Sequence, residues 1–426
     1  MQILRVLFEI IAFMMNAFML ALLSYQLVLS IFGFRKGSKD YSDYPPEARF
    51  LILVPAHNEE KVIRDIIENL QNMSYPKELY DFYIIADNCT DSTESIAVEM
   101  NANVIVTIKE NEKSPTGKPI AIKKALETIT NYKELYDLVM LFDADNLVDK
   151  NMLTEVNSQY LDKGKPEIIQ SYLGVKNNNG LVAWFYYTCF TAANRFTQLS
   201  RTRRGLNCGI GGTGYAVSTS YLHERGGWTA MSLTEDFELQ IDASLSGKRI
   251  LWNHNVRVYD EKPTSYKVSL HQRIRWAQGQ WFVVLKNTSK LVRAIRTKTI
   301  PVREALSLFM YMYGLFANVF VVFQLLLGLV YLLTGWYDSS SQPWYLTTIQ
   351  ICVFLYSFIV LFCIAEYLDN KQSISFRSVT KIVISVITNF FLALIAQITG
   401  LLLHRRQNEW VKTEHYITKN NPAIHL

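Results

Sequence analysis

Long apolar stretches lie at both ends of the chain, and short apolar segments alternate with polar ones between them. Residues 6–34 form the first long stretch, in which Glu9 is the one charged side chain. Three more follow near the other end, at residues 306–333, 346–367 and 379–403. As a helix, each is long enough to cross a hydrocarbon core of about 30 Å, so the pattern predicts one N-terminal and three C-terminal membrane spans.

The charges that flank these stretches predict how they are oriented. Basic residues follow the first stretch at once: Arg35, Lys36 and Lys39. By the positive-inside rule they place this end in the cytosol and the N-terminus outside. A cleaved signal peptide is the alternative, but the stretch is longer than such peptides and has no small-residue cleavage site.

The same rule gives conflicting predictions for the C-terminal end. The connection at 335–343 has no Lys or Arg and is expected outside, whereas Lys371, Arg377 and Lys381 mark the next connection as inside. Three spans would then leave the C-terminus outside, although the segment that begins His404-Arg405-Arg406 and includes Lys412 resembles a cytosolic flank. If the C-terminus is inside, one apolar segment is re-entrant or interfacial.

The middle of the chain has the pattern of an α/β domain. Short apolar segments predict strands at 50–54, 82–86, 104–108 and 138–142, with helices beginning near 62 and 118 between them. Polar residues follow the ends of these strands, and a parallel sheet collects such ends at one edge. The sequence therefore predicts a ligand-binding edge built from several strand ends.

Two acids follow the strand at 138–142 directly. Asp143 and Asp145 are two residues apart, so on an extended chain their carboxylates point the same way and could share one divalent cation. A cation held by so few protein groups usually takes other ligands from substrate phosphates. The hypothesis is a metal–diphosphate site, although two acids at this spacing also occur often by chance.

Several later segments also have candidate chemistry. Residues 181–199 are aromatic and amphipathic, and a membrane-surface helix and a core helix both remain open. A glycine-dense turn at 209–214 would let the backbone approach a ligand. Thr234 and the acids after it begin a predicted helix that runs to about residue 245, for which plain helix capping is the alternative.

A cluster at 272–281 is dense in arginine, glutamine and tryptophan. Gln272, Arg275 and Trp276 are three and four residues apart and would share one helix face. That face suits a diphosphate at the arginine and a sugar ring against the indole. An amphipathic interfacial helix is the alternative.

Composition narrows the classes of function. The 426 residues are 50% hydrophobic and 19% charged, and a net charge of +5 is too small to indicate nucleic acid. The five cysteines show no metal-ligand spacing and indicate a reduced, cytosolic setting without disulfides. A sugar-nucleotide-forming enzyme would have a glycine-rich, basic loop after the first strand, where Pro55-Ala56-His57-Asn58-Glu59-Glu60 stands instead.

Seven short motifs, in order and between the apolar ends, resemble the membrane-embedded family 2 glycosyltransferases. This group includes bacterial cellulose, hyaluronan, chitin-oligosaccharide and poly-N-acetylglucosamine synthases. The motifs are Pro55-Ala56-His57-Asn58-Glu59, Ala86-Asp87-Asn88, Gly117-Lys118, Asp143-Ala144-Asp145, Gly212-Thr213, Thr234-Glu235-Asp236 and Gln272-Arg273-Ile274-Arg275-Trp276. The resemblance covers nearly the whole chain and implies a GT-A (Rossmann-like) α/β domain combined with transmembrane and interfacial helices.

The resemblance also implies roles for single residues. Asp236 matches the general base, and Asp143 and Asp145 match a metal-binding pair in which Asp145 is the more direct ligand of Mg²⁺ or Mn²⁺. Contacts to the UDP-sugar donor are implied for Ala56, Glu59, Asp87, Lys118, Asp143, Asp145, Gln272 and Arg275. Contacts to the acceptor are implied for Gly212, Thr213, Glu235 and Trp276. Gly211 and Asn146 depart from cellulose synthases, which have cysteine and a metal-binding histidine there.

The resulting prediction is an inverting, metal-dependent enzyme of the plasma membrane, multi-pass, with a cytosolic catalytic domain. It transfers sugar from a UDP-sugar, with UDP-glucose first, to a growing β-linked polysaccharide that it exports. The predicted partners are this donor, a polysaccharide acceptor and the lipid bilayer, and not nucleic acid; whether there are partner subunits stays open. The alternatives are single transfer to a lipid or short acceptor, UDP-N-acetylglucosamine as donor, and an inactive relative that senses a nucleotide.

The predicted domains follow the same division of the chain. They are an N-terminal anchor at 1–40, the GT-A domain at 48–262, interfacial helices at 263–303, three spans within 304–404 and a tail at 405–426.

Overall fold

A computed structural model describes residues 2–37, 39–109, 111, 115–334 and 344–407 of the chain. The predicted outside connection at 335–343 lies outside these residues, as does Lys412 with nearly all of the predicted tail.

An eight-stranded sheet forms the centre of the fold, with strand order β3-β2-β1-β4-β7-β6-β8-β5. The strands are β1 Phe50–Ala56, β2 Tyr80–Asp87, β3 Asn103–Thr107, β4 Leu138–Leu141, β5 Leu147–Val148, β6 Ile168–Val175, β7 Tyr215–Ser218 and β8 Ile250–Asp260. The first four are parallel to one another, but β7 is antiparallel to both β4 and β6. The four strands that the sequence predicted are thus parallel as expected, and β7 makes the whole sheet mixed.

Fifteen α-helices accompany these strands in the described residues. They are α1 Gln2–Ser30, α2 Ile63–Gln71, α3 Thr93–Glu99, α4 Lys118–Thr128, α5 Tyr132–Leu135, α6 Met152–Asp162, α7 Gly180–Ala193, α8 Ser200–Arg203, α9 Thr219–Glu224, α10 Glu235–Leu245, α11 Tyr266–Arg296, α12 Val302–Gly314, α13 Ala317–Thr334, α14 Trp344–Ala365 and α15 Phe376–Leu403. Separate hydrophobic cores cover the two faces of the sheet, as in doubly wound folds. Strands β1 and β4 are buried along almost their whole length, which explains why they read as unbroken apolar runs.

Strand β1 lies between β2 and β4. The strands β2 and β3, which follow β1 in the sequence, lie on one side of it, whereas β4 lies on the other side. Such a switch in strand order opens a crevice at the carboxyl ends of the strands. The predicted acids after β4 and the polar segment after β1 both lie at this crevice, so the sheet order alone explains why they meet.

The predicted helix at 181–199 is α7 extended by a π-helical turn, Asn194–Leu199. One side of it packs against β6, and α14 and α15 cover the other side. The helix is thus sandwiched between the sheet and the apolar C-terminal helices, which fits neither a free membrane-surface helix nor an ordinary core helix.

Three single helices are long and apolar enough to cross a membrane: Arg5–Gly33, Thr348–Asn370 and Phe376–Leu403. The predicted span at 306–333 is instead two helices, α12 and α13, which meet at a bend of 63°. Exposed apolar side chains such as Phe13, Phe354 and Phe391 occur on these helices. The N-terminal span and two C-terminal spans meet the test of length and composition as single helices, and the predicted span at 306–333 meets it only as a bent pair.

A buried ionic cluster ties the end of α14 to the sheet. Asp369 forms an ion pair with Arg195, and its Oδ1 lies 3.1 Å from Nε2 of His254 on β8. Arg257 Nη2, also on β8, donates to the Asp369 carbonyl at 3.0 Å. Because all of these side chains are buried or nearly so, the chain that follows α14 is fixed against the catalytic domain.

Candidate active site

A cleft of about 330 Å³ opens where β1, β2, β4 and β8 end, and α10 and α11 close its other side. All predicted site residues except Thr213 line it. The structure therefore brings together residues that are spread over more than two hundred positions of the chain.

The ends of β1 and β2 form one wall, which we call the donor end of the cleft. Asp87 is buried there, and its carboxylate accepts hydrogen bonds from Thr107 Oγ1 at 2.7 Å and from the Gly117 backbone N–H at 3.3 Å. His57 Nδ1 donates to the Asp87 carbonyl at 2.6 Å. Ala56 and Glu59 lie beside it at the end of β1. This wall is held rigid before any ligand arrives.

Asp143 and Asp145 follow β4 in a turn, not on an extended strand. The Asp143 carboxylate is 40% exposed and binds Lys118, whereas Asp145 is buried and accepts from Asn146 Nδ2 at 3.1 Å and from the Glu261 N–H at 3.0 Å. The prediction that an extended chain aligns both carboxylates was wrong, because the chain turns at Ala144. Both carboxylates nevertheless line the cleft.

Asn146 and Thr213 hold this turn from below. The Asp143 backbone N–H donates to Asn146 Oδ1 at 3.0 Å and to Thr213 Oγ1 at 3.1 Å, and the Thr213 hydroxyl donates to Asn146 Oδ1. Both side chains are buried. Thr213 thus lies beneath the cleft wall instead of in it, and its hydroxyl supports the acids.

The carboxylates of Asp143 and Asp145 fit a hard divalent cation in donor chemistry. Among the described residues, no three His, Cys, Asp or Glu side chains converge as a metal site. A cation here would have to take most of its ligands from elsewhere, and the oxygens of a diphosphate are the ligands that such ions prefer.

Lys118 connects the two ends of the cleft. Its Nζ lies 2.6 Å from Asp143 Oδ1, 2.5 Å from the Gly212 carbonyl and 3.6 Å from Glu235 Oε1. Burial alone would lower the pKa of this ammonium, but the surrounding carboxylates outweigh burial and raise the pKa above its ordinary value. Lys118 is therefore a fixed positive charge between Asp143 and the acids of α10.

The other wall, which we call the acceptor end, begins at the first turn of α10. Burial raises the pKa of both Glu235 and Asp236, and the Lys118 charge opposes part of that rise. Gly212 has φ +83°, and a Cβ there would lie 3.4 Å from Asp236 Oδ2, so a glycine lets the turn pass close to this carboxylate. A buried carboxyl whose pKa is raised is suited to take up a proton.

Thr234 precedes α10 but does not cap it, so the capping alternative was wrong. Its hydroxyl makes no capping hydrogen bond and, in the described part of the chain, has no hydrogen-bond partner although it is buried. Gly279 of α11 makes room for it, since a Cβ at 279 would lie 2.4 Å from Thr234 Oγ1. Thr234 lines the cleft, and its hydroxyl lies just inside that wall, enclosed against Gly279.

The predicted helix face on α11 points into the cleft. Gln272, Arg275 and Trp276 line it together with Gln280, one turn further on. Tyr186 supports this face, because its hydroxyl donates to Gln272 Oε1 at 3.2 Å and its ring meets the Trp276 ring edge-on at 6.0 Å.

The structure adds lining residues that the sequence did not indicate. Asp260, at the end of β8, is partly buried beside the acid pair; loss of solvent around it raises its pKa to about 6, with Lys262 opposing the rise and Asp145 adding to it. Phe190 of α7 and Tyr311 and Leu315 near the end of α12 also line the cleft. The alternating pattern of β8, which ends in an acid as β2 does, was a signal that could have identified Asp260.

A family model described as "Glycosyltransferase like family 2" matches residues 45–279, more than half of the chain. The chain belongs to this family. It is a glycosyltransferase, and the match covers the whole sheet and the face of α11 formed by Gln272, Arg275 and Trp276.

Similar proteins agree with this assignment. The chain is 24% identical over 379 residues to the probable glycosyltransferase YdaM of Bacillus subtilis, which covers 86% of each chain. It is 29% identical to a beta-monoglucosyldiacylglycerol synthase of a Nostoc species over 55% of this glycosyltransferase and 51% of the relative, so the chain spans about half of that protein's length.

A solved structure shows the same fold. It is a mannosyltransferase from Pyrobaculum calidifontis in complex with GDP-Man and Mn²⁺. The superposition has a TM-score of 0.58 and 15% identity, and it covers 92% of this glycosyltransferase and all of that chain. The GT-A class predicted from the motifs is confirmed.

Proposed function

We propose that this glycosyltransferase moves a hexose from a UDP-sugar to an acceptor hydroxyl at a membrane surface, with inversion at the anomeric carbon. One observation supports this most directly: the acids after β4 and the Asp236 carboxyl line a single cleft, and Lys118 lies between Asp143 and Glu235, the neighbour of Asp236. A donor sugar in this cleft would have its UDP toward the donor end, and the opposite face of its anomeric carbon would face the acceptor end.

The donor end suits a nucleoside diphosphate. Ala56, Glu59 and Asp87 lie where the uridine and ribose would contact strand ends, and Arg275 and Lys118 are the nearby cations. Asp145 and Asp143 would hold Mg²⁺ or Mn²⁺, which supplies positive charge to the diphosphate oxygens. The guanidinium of Arg275 adds hydrogen-bond donors to the diphosphate as negative charge gathers on the leaving UDP.

The acceptor end suits proton removal. An acceptor hydroxyl attacks the anomeric carbon, the bond from that carbon to the UDP oxygen breaks, and Asp236 takes the hydroxyl proton. Its raised pKa strengthens it as a base compared with an exposed aspartate. Glu235 and Lys118 lie next to it, and the positive charge of Lys118 offsets negative charge on these carboxyls.

The preferred acceptor in this proposal is a growing β-linked polysaccharide, with UDP-glucose as donor. The indole of Trp276, supported by Tyr186, offers a flat apolar surface to a sugar ring beside Asp236. A lipid hydroxyl is the second candidate. Tyr311 and Leu315 favour it, because they extend the cleft to the apolar helix α12, and the Nostoc relative is named as a synthase of a glycolipid.

The proposal places the enzyme in the plasma membrane with its catalytic domain in the cytosol. Arg35 and Lys36, directly after α1, fit a cytosolic flank by the positive-inside rule. The cytosol also supplies nucleotide sugars to the cleft.

A donor screen by UDP release tests the reaction. Purified enzyme would be given UDP-glucose, UDP-N-acetylglucosamine and GDP-mannose, each with Mg²⁺, with Mn²⁺ and with EDTA. We expect UDP release that depends on the divalent ion and is greatest with UDP-glucose. Equal release after all divalent ions have been removed would refute the metal dependence, and release of GDP alone would refute the choice of donor.

Product analysis separates the two acceptors. Radiolabelled product would be sized on a gel before and after digestion with linkage-specific glucanases, and extracted in parallel into organic solvent. Long, digestible chains are the expected result. A single sugar on an extractable lipid would establish the second candidate in place of the first.

A further inference from the structure

Helix α15 has two distinct faces. Ile382, Ser385, Asn389, Ala396 and Gly400 are buried and recur at helical spacing. The opposite face is an exposed apolar stripe along the same helix: Ile384, Ile387, Phe391, Ile395, Ile398 and Leu402. A helix with a polar-containing buried face and a purely apolar exposed face covers a protein on one side and requires an apolar environment on the other.

The buried face contacts the catalytic domain at both ends of the helix. Near its start, Lys381 Nζ donates to the Asn178 carbonyl at 3.5 Å. Just beyond its end, Gln407 Oε1 accepts from the Leu233 N–H at 2.9 Å, and Gln407 Nε2 donates to the Gln278 carbonyl at 3.4 Å.

Between these ends, α15 follows α11. Asn389 Oδ1 accepts from Arg273 Nη2 at 3.0 Å, and the Gln397 carbonyl accepts from Trp281 Nε1 at 3.1 Å. Gly400 lies so close to α11 that a Cβ there would be 2.4 Å from the Ala277 Cβ. The contact is therefore continuous along the helix.

These contacts do not fit a helix that crosses a bilayer. From Lys381 to Leu403 the helix rises about 33 Å, close to the roughly 30 Å of a hydrocarbon core, so its length alone would permit a crossing but the contacts at its two ends do not. Its first anchor, Asn178, lies two residues from Lys176, whose Nζ donates to the Asp145 carbonyl. Its last anchor, Leu233, directly precedes Thr234. Both ends of α15 thus lie beside the same cleft, whereas a crossing would place them on opposite sides of the membrane.

We propose that α15 lies in the plane of the membrane surface, with its apolar stripe in the lipid and its buried face on the catalytic domain. The residues that follow α15 then lie on the catalytic side of the membrane. The crossings that remain are α1, the bent pair α12–α13, and α14, whose end is fixed to the sheet through Asp369. Three crossings place the N-terminus and the C-terminus on opposite sides.

This arrangement removes the conflict between apolar length and flanking charge. Arg405 and Arg406 at the end of α15 lie on the same side as Lys371 and Arg377 before it, as the positive-inside rule requires. Basic residues at both ends of an apolar stripe also suit a surface of anionic headgroups. Lipid, which the three crossings already contact, is therefore the occupant of the stripe.

Reporter fusions on the full chain test the side. Alkaline phosphatase, active only outside the cell, and green fluorescent protein, fluorescent only inside, would each be fused after residue 426 and inserted between α13 and α14. We expect a fluorescent C-terminal fusion without phosphatase activity and an active phosphatase between α13 and α14. An active phosphatase at both positions would overturn the in-plane helix.

The inference rests on the proposed membrane location, and the same fusions distinguish the two failures. Phosphatase that is inactive at both positions would overturn the three crossings and the in-plane helix together. Activity at both positions would overturn the in-plane helix alone.

A fluorophore at the stripe tests the occupant. An environment-sensitive label at Ile398→Cys would be measured in vesicles with and without brominated lipids, against the parent protein labelled in the same way. Quenching beyond that of the parent is expected if lipid covers the stripe. Without added quenching, the stripe is covered by protein, a second copy or a subunit, and the lipid assignment fails.

Substitution at the tightest contact tests the coupling to the cleft. Gly400→Leu would push α15 away from α11 and displace the Trp276 face, and misplacement by about 1 Å costs about 10²-fold in rate. Gly328→Leu on α13 is the matched control, since nothing lies within 4 Å of a Cβ there. We expect a loss of that order for Gly400→Leu and none for the control; equal turnover in both would contradict the contact.

Discussion

The two ends of the cleft are built in different ways. At the donor end, the carboxylates of Asp87 and Asp145 stand on strand ends and are already hydrogen-bonded by the protein. At the acceptor end, the buried Glu235 and the partly buried Asp236, both with raised pKa, stand on the first turn of a helix, beside a Thr234 hydroxyl that has no hydrogen-bond partner in the described residues.

This difference indicates that the donor end serves binding and the acceptor end serves proton transfer. Hydrogen bonds from the protein fix the donor carboxylates in position, so they are ready to bind a cation and a diphosphate without rearranging. The acceptor carboxyls gain by taking a proton, because burial disfavours their charge. Substitutions at the two ends should consequently affect different quantities.

The largest effect is expected from Asp236→Asn. Without the base, turnover should fall about 10²–10⁴-fold, since positioned bases contribute that much. UDP affinity should stay within about twofold, because the donor end is untouched. Asp242→Asn, on the same helix but outside the cleft, is the control and should keep normal turnover. Equal losses of turnover in the two variants would contradict the assignment of Asp236 as the base.

Asp145→Asn should affect metal-dependent UDP binding instead. Even outer-shell partners of a metal contribute about 10–100-fold to affinity, so a direct ligand should cost at least that in Mn²⁺-dependent UDP binding. Calorimetry with and without EDTA measures it. The variant with Mn²⁺ should match the unchanged enzyme in EDTA, and a variant that keeps its Mn²⁺ response would remove Asp145 from the metal site.

Lys118→Met tests the comparison through the pH dependence of turnover. Turnover requires ionised Asp236, so it is lost as pH falls through the pKa of that carboxyl, which lies above its ordinary 3.8. The Lys118 charge lowers this pKa, and its removal should move the acidic limb of the rate profile to higher pH. A limb that stays in place or moves down would contradict the assignment of Asp236 as base.

Thr234→Val should have the smallest effect. Loss of one hydrogen bond to the acceptor costs about 0.5–1.5 kcal/mol, or about 2–10-fold in the acceptor KM. Melting temperature should not fall, because the hydroxyl has no protein partner to lose. An unchanged KM together with a lower melting temperature would show that the hydroxyl supports the fold instead.

Much of the fold could be predicted because its signals are local. Strands β1 and β4 are continuous apolar runs, and α1 and α14 are long apolar segments between polar flanks. Strands β5 to β8 were not predicted, and the antiparallel β7 is set by pairing with strands β4 and β6, which no short segment of the sequence indicates.

The sequence predicted which residues form the site better than it predicted how they are arranged. Asp143 and Asp145 were found from their position after a strand, but the turn at Ala144 depends on Asn146 and Thr213 beneath it. Asp260 and Tyr311 reach the cleft only through tertiary packing. The apolar length of α15 predicted a span, whereas its contacts with Arg273 and Trp281 show that it runs along α11.

The anomeric configuration of the product tests the central claim most directly. Proton NMR of the first product formed from an α-linked UDP-sugar reports whether the new bond is α or β. A hydroxyl activated at the acceptor end, opposite to UDP at the donor end, must give the β anomer. An α-linked product would contradict a direct displacement across this cleft.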